Sequence, residues 1–458
     1  MAGYIGSDKS GVNVESYTKS EADSAISTAI AAAGSGVEVS ATEPSSPSEG
    51  DLWYDSSAGV KEVKFYNGTA WKKINSSTPT LSSVTGNLTP GTETTLTLTG
   101  SGFLSSNLVV NFLQSSDAVD VDVTVTPTSG TSASVTVPSS VYSNITNGNV
   151  VSISVTNSDT ISSNTLTKTA INYPTGGTVT TDGSYRIHTF TSSGTFTVPS
   201  PTSLSNVEYL VIAGGGGGGV ANGGGAGGGA GGYRSSVSGE SSGGGSSAET
   251  ALTLSPASYT VTIGAGGAGN THSGTIGSRG DAGSDSVFST ITSVGGGYGG
   301  GDNSKAGGSG GSGGGEARFS GNGGGGSATS GQGYAGGAGG SNTGGGGGGA
   351  GAAGTAGSGS SLRGGNGGAG VESSINGTAT YRAGGGGGGA EAPSDDSGGI
   401  GGTGGGGKGG QAGSVGSTPT AGEVNTGSGG GASGDYNTGG SHNGKAGGSG
   451  IVIIRYQL

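Results

Sequence analysis

Cysteine is absent from the chain, and with it go the disulfide framework, the thiolate metal site and the cysteine nucleophile. Charge is scarce too. Only 10% of residues are charged and the formal net charge is -12, so there is no basic stripe of the kind that nucleic acid requires, and nucleic acid is not expected as a partner. The three histidines, His188, His272 and His442, are far apart and lack metal-ligand spacing. Neither a metal nor a cofactor is expected. Asp281 and Asp285, and the pair Asp395 and Asp396, could bind calcium through loop carboxylates, but such acids read more simply as solvated turn residues. No window approaches the roughly 18 apolar residues that span a bilayer, and the opening "MAGYIGSDKSG" has no apolar core of signal-peptide length. Membrane insertion is therefore not expected, nor is export by a conventional signal. No Ser/His/Asp pattern or carboxylate pair in a cleft is legible, and GxGxxG matches arise by chance where glycine is this common, so no enzyme is expected.

What the chain has instead is glycine, 114 in 458 residues. Only 18 precede residue 213, so the chain joins two different kinds of polymer. The first part reads as ordinary protein. Residues 1–36 form an N-terminal attachment segment, in which residues 18–33 read as a short helix. Thr18 and Glu21 make a capping box, Ala22, Ala25, Ile26, Ala29, Ile30 and Ala33 lie on one stripe, and Gly34 ends it. Such a helix packs either on its own domain or in a parallel bundle of identical chains.

Residues 37–77 read as a small β module. Val63, Phe65 and Trp71 flank Asn67-Gly68, the dipeptide suited to a type I′ hairpin, with Trp53, Tyr54, Phe65 and Trp71 as its core. Carbohydrate stacking is the functional alternative for these aromatics. Residues 78–172 carry short alternating strands such as "TTLTLTGSGF" and "VVSISVTN", the spacing of a β-sandwich spacer. The segment "LTLTGSGF" resembles the strand and turn of IPT/TIG-type immunoglobulin-like domains.

Residues 173–458 form the glycine-rich part. The strands between residues 183 and 213 and the terminal "IVIIRYQL" of residues 451–458 are expected to pair in one sheet and frame the glycine tract. Collagen is excluded, since glycine does not recur at every third position and Pro256, Pro393 and Pro419 are the only prolines after the opening strands. A flexible linker would not contain "ALTLSPASYTVTIGAGG" or "SDSVFSTITSVGGG". The blocks of six glycines at residues 214–219, 344–349 and 384–389 instead suit polyglycine II helices of three residues per turn. Those helices have no internal hydrogen bonds, and only hydrogen fits between neighbours. Ala and Ser are expected at bundle edges and larger groups at faces or turns. The fold class expected is thus mainly β with a short N-terminal helix: a small β module, an Ig-like sandwich, then strands framing a polyglycine II bundle.

The order "YRIHTFTSSGTFTVPS", "VEYLVIAGGGGGG", "YTVTIGAGGAG", "SVFSTITSVGGGYGG" and "GGSGIVIIRYQL" resembles the glycine-rich domain of tail-fibre and receptor-binding proteins of tailed phages, particularly marine ones. "GDLWYDSS" with "VKFYNGTAWKKI" resembles a segment common in phage fibres, and "MAGYIG" is similar to fibre N-termini that engage the tail. The resemblance implies a homotrimeric virion tail-fibre adhesin, attached to other tail proteins by its N-terminus and meeting a host surface receptor through loops between glycine helices. No binding residue carries over from it.

The candidates come from the residues themselves. Phe319, Tyr334, Tyr381 and Tyr436 offer aromatic faces to sugar rings, and Arg363 and Arg382 offer cations to an acidic polysaccharide; alternatively each merely covers glycine backbone at an edge. Two other classes remain open: a non-viral structural or ice-binding polyglycine II protein, and a bacterial surface adhesin. Arg279-Gly280-Asp281 spells an integrin-recognition tripeptide and is read as coincidence.

Overall fold

The computed structural model describes residues 37–57, 62–73, 78–158, 160–200, 202–271, 277–318, 324–360, 362–391, 397–411, 418–434 and 443–458. The expected N-terminal helix lies outside them. Two compact units divide at Asn172 and Tyr173.

The first unit begins with a four-stranded sheet, β1 (Val37–Ser40), β2 (Leu52–Asp55), β3 (Glu62–Tyr66) and β4 (Trp71–Lys73), in that order. Its hairpin differs from the expected two-residue turn. Tyr66 pairs with Trp71, leaving four loop residues, and the Asn67 side chain accepts the Thr69 and Ala70 amides at 3.1 and 2.9 Å. An Asx-type turn thus replaces the type I′ geometry. The core also shifts. Trp71 packs on Trp53 and Tyr66 at 5.6 and 5.5 Å between ring centres, whereas Phe65 is exposed because strand alternation turns it outward.

An antiparallel sandwich follows. Its sheets are β5 (Thr80–Thr85), β6 (Thr95–Ser101) and β9 (Ser132–Thr136) on one side, and β7 (Leu108–Gln114), β8 (Val119–Val125), β10 (Val150–Thr156) and β11 (Leu166–Thr169) on the other. Alternate residues such as Leu96, Leu98, Val110, Phe112, Val151 and Ile153 point inward and are fully buried. A four-plus-three arrangement of this kind is that of an Ig-like domain.

The second unit opens with β12 (Thr178–Asp182), β13 (Tyr185–Phe190), β14 (Gly194–Val198) and β15 (Leu204–Ile212), and continues through β16 (Tyr233–Ser235), β17 (Leu252–Leu254), β18 (Ala257–Thr262), β19 (Ser286–Phe288), β20 (Ile291–Ser293), β21 (Val371–Ser373), β22 (Thr380–Arg382) and β23 (Ile451–Gln457). The last strand, β23, is inserted between β13 and β15, antiparallel to both. By contrast β14, expected alongside its neighbours, joins β18, β19 and β20 in a second sheet. Phe196, Tyr209, Val211, Phe288, Val452, Ile454 and Tyr456 fill the space between the two sheets. On the opposite face, Leu210, Ile212, Ile451 and Ile453 meet Tyr233 and the bundle residues Ala230, Ala350 and Ala383. Burial on both faces explains why β15 and β23 are continuous apolar runs rather than alternating ones.

From Ala213 onward the backbone leaves the sheet and hydrogen-bonds in three directions. The amides of Gly214, Gly217 and Val220 donate to Ser284, Asp281 and Ser278; those of Gly215 and Gly218 to Gly448 and Lys445; those of Gly216 and Gly219 to Gly229 and Ala226. The carbonyls of the same residues accept from Gly296, Gly299 and Asp302, from Gly267 and Asn270, and from Gly430 and Ser433. A three-residue period on both donors and acceptors is the signature of a polyglycine II helix, here with six neighbours. Residues 344–349 and 384–389 are surrounded in the same way. So are residues 225–232, where Ala226 and Ala230 are fully buried, which corrects the expectation that alanine stays at the bundle edges.

The glycines here answer to close approach rather than to a left-handed backbone. At Gly217 an added Cβ would fall inside the carbonyl of Ala268, and at Gly347 inside that of Gly228, both rigid backbone. The hydrogen in that direction therefore points at a carbonyl oxygen, a Cα–H···O contact worth about 0.5–1 kcal/mol net. Together with about 1 kcal/mol per backbone hydrogen bond, such contacts offset the ordering of a chain with little apolar area to bury.

Two outcomes test this scaffold. Removing residues 451–458 takes the strand between β13 and β15 and both apolar faces it fills, so the product is expected to aggregate or to lose its resistance to limited proteolysis. Gly217→Ala is expected to cost about 3 kcal/mol or more by overpacking. Gly239→Ala, whose φ is +82° with nothing within 4 Å, costs about 1 kcal/mol; denaturant midpoints of the two variants compare them directly.

Candidate functional site at the bundle ends

Successive polyglycine segments run alternately away from the sheet and back to it. Ala213, Gly232 and Val294 are linked amide to carbonyl at the sheet end, as are Gly231 and Gly427. Six residues farther on, at ~3.1 Å per residue or roughly 19 Å, the chain reverses at the far end. There the described turns are residues 220–225, 301–305 and 340–343, and Ser358 is bridged to Arg363. Thr271 and Gly277, Arg318, Glu391 and Ser397, Gln411, and Gly434 also reach this end.

Asp302 organises one of these turns. Its carboxylate accepts the Asn222 and Gly277 amides at 2.9 and 3.3 Å and faces Arg318 at 3.8 Å. Three segments are thereby tied at their tips by one side chain.

The residues singled out from the sequence are not brought together. Arg363 is exposed at the far end, next to Leu362, which has a φ of +54°. A leucine in the left-handed region costs on the order of 1–3 kcal/mol and persists only where surrounding contacts hold it; here the Ser358 amide donates to the Arg363 carbonyl at 2.9 Å. Tyr334, Tyr381 and Arg382 sit at the sheet end. Tyr334 is half-buried, with its hydroxyl against Gly245, in keeping with the reading that it covers glycine backbone. Phe319 and Tyr436 lie outside the described residues.

Tyr381 and Arg382 do not form a surface pair, because alternation along β22 turns one outward and the other in. Tyr381 is 46% exposed and Arg382 6%. Burial pushes the Arg382 guanidinium below its usual pKa, and its Nη1 has no hydrogen-bond partner. The same pocket of the core holds Tyr233, whose phenol is pushed up by burial, and Glu240, whose Oε1 accepts the Ser374 amide at 2.8 Å. Arg382, expected to meet a ligand, is instead buried and turned away from the surface.

Several charges elsewhere in this unit are consumed structurally. Arg234 pairs with Glu249 at 2.6 Å, Tyr209 donates to the same carboxylate at 2.8 Å, and Arg455 Nε holds Glu208 at 2.8 Å. Arg279 stacks over Tyr298 at 4.1 Å, and its Arg-Gly-Asp tripeptide lies within a bundle helix, with Gly280 and Asp281 donating to Gly299 and Ala268. His188 is fully buried between Gly176 and Tyr456, at 2.7 and 3.3 Å, and burial pushes its pKa down. Among the described residues no three His, Asp or Glu side chains gather as a metal-ligand set. Nor is any helix there long and apolar enough to cross a membrane.

One lengthwise groove does bring polar side chains together. Its volume is about 650 Å³, and Thr355, Arg363, Asn366, Ser397, Ile400 and Lys408 line it, on adjoining bundle segments. Sequence reading found only Arg363. Of the others, Asn366, Ser397 and Ile400 were signalled by a three-residue spacing, Arg363 to Asn366 and Ser397 to Ile400, which puts residues on one side of a polyglycine II helix.

With the bundle in view, comparison by family is decisive. Residues 191–457, more than half of the chain, match the family of the glycine-rich domain. The chain belongs to this family. No curated protein and no solved structure gives a match. The match begins just after β13 and ends at the last residue of β23, so it takes in the second framing sheet and the polyglycine segments but leaves β12 and β13 of the first sheet outside it.

Arg382→Met should leave the glycine-rich domain folded and at least as heat-stable, since it removes a buried cation with an unpartnered nitrogen. A loss of several degrees in melting temperature would show instead that the guanidinium is well compensated.

Proposed function

We propose that the protein is a virion tail-fibre adhesin that binds a host-surface receptor, polysaccharide in class, through the far end of its glycine-rich domain. The observation that carries this reading is the collection of chain reversals at one end of a rigid scaffold. The interior helices tolerate almost no side chain, whereas the turns joining them carry larger ones such as Asp302, Asn342 and Arg363. Binding residues placed on loops held by a rigid frame are a general arrangement. The Ig-like sandwich then acts as spacer and the N-terminal segment as the attachment to other tail proteins, with three chains per fibre. Weak individual contacts would be raised by several copies on one particle, because later binding events become intramolecular. No step in this reading requires catalysis or a cofactor.

A second reading has one observation in its favour. Ala335 and Ala338, and Ala353 and Ala356, are exposed at three-residue spacing on adjacent helices, giving a flat face of small side chains suited to ice.

Replacement of residues 303–305, 340–343 and 358–362 by glycine-serine turns of equal length, which spares Asp302 and the groove residue Arg363, separates these readings. Binding of labelled full-length protein to a panel of bacterial cells is expected to fall at least tenfold while the melting temperature stays within a few degrees. Unchanged cell binding would overturn the adhesin reading. Thermal hysteresis in the parent protein, unaffected by the same replacement, would establish the second.

A further inference from the structure

We infer that the groove lined by Thr355, Arg363, Asn366, Ser397, Ile400 and Lys408 is a binding site for an anionic polysaccharide, one bearing carboxylate or sulfate groups. This deepens the adhesin reading and rests on it, but it places the ligand along the side of the bundle as well as at its tip. The groove is about 650 Å³, within the roughly 300–1,000 Å³ of ligand sites. Its walls come from adjoining bundle segments whose backbone groups are largely engaged with one another, so recognition falls to the side chains on its walls.

Those side chains have a consistent chemistry. Arg363 and Lys408 are the charged groups of the lining, and no carboxylate is among its described residues, in a chain whose net charge is -12. Arg363 is exposed and has no hydrogen bond or ion pair with a described residue through its guanidinium, so its fork of donors is available for bidentate contact with an oxyanion. Lys408, which has a partner of its own, adds positive field. Thr355 and Asn366 supply polar atoms. Asn366 is exposed, and its Oδ1 accepts the Ile400 amide at 2.9 Å, which ties the two walls together. Ile400, 66% exposed, offers an apolar surface to the less polar face of a sugar ring. The strained Leu362 sets the backbone immediately before Arg363, in a chain with glycine to spare for such positions.

Titration calorimetry of the full-length protein with dextran sulfate, and with neutral dextran of the same length, tests the site. Dextran sulfate is expected to bind, with affinity falling as salt is raised, and neutral dextran to bind far more weakly. Arg363→Ala with Lys408→Ala should weaken dextran sulfate by about tenfold or more, with the melting temperature retained, and Lys72→Ala in the first unit should change nothing. Equal binding of both dextrans, or a double variant indistinguishable from the parent, would overturn the assignment. Asp395 and Asp396 precede Ser397 in sequence. Their replacement by Asn should leave dextran sulfate binding equal or stronger, and a loss would argue against an anionic ligand. If these tests fail while the turn replacements still abolish cell binding, the groove is wrong and the adhesin reading stands; if both fail, the reading itself falls.

Discussion

Every polyglycine segment depends on one arrangement: an amide and a carbonyl directed at different neighbours, repeating every third residue, with the helix axes too close for a Cβ. A helix of this kind cannot exist alone, since it makes no hydrogen bonds to itself. Each interior segment of the glycine-rich domain is therefore stable only as part of the set. In the segment 214–219, six separate stretches of chain, drawn from residues 226 to 448, meet those needs. Order in this domain is a collective property of backbone, and the sheets at its base supply what backbone alone lacks, a hydrophobic anchor. Leu210, Ile212, Ile451 and Ile453 press against Ala230, Ala350 and Ala383 and join the two kinds of structure.

Much of this was legible because the sequence patterns are extreme. Six glycines in a row have no use in an ordinary strand or helix, and the three such blocks are interior helices with six neighbours each. The apolar runs of β15 and β23 likewise announced strands buried on both sides, and their pairing followed. Other features were hidden by local chemistry. Asn67 was read for its backbone preference, yet its side chain caps a longer turn. Alanine was expected at bundle edges, yet Ala226 and Ala230 stand in segment 225–232, where their methyl groups find room in the interior.

The candidate site was less legible for a physical reason. Interruptions of glycine were treated as one class, at faces or turns, whereas they divide by the end of the bundle at which they fall and by the side of the strand on which they stand. Arg382 is inward and Tyr381 outward although they are adjacent, and both lie at the opposite end from Arg363. The groove was missed because its walls come from segments some forty residues apart in sequence. A period of three among non-glycine residues would have shown which of them share a side. That period belongs to polyglycine II alone and is not part of the usual search for amphipathic helices and strands.

The position of β23 governs the order of assembly. A ribosome delivers β13, β15 and some 240 glycine-rich residues before the strand that belongs between the first two, so the domain cannot close during most of its own synthesis. The Ig-like sandwich, complete much earlier and dense in neighbouring-strand pairs, is free to fold as it emerges. Until β23 arrives, the two apolar faces of β15 that it helps to cover stay open, and these, rather than the glycine segments, are the surface at risk of aggregation. Glycine confines that risk to the framing strands, because the segments between them are nearly all polar backbone.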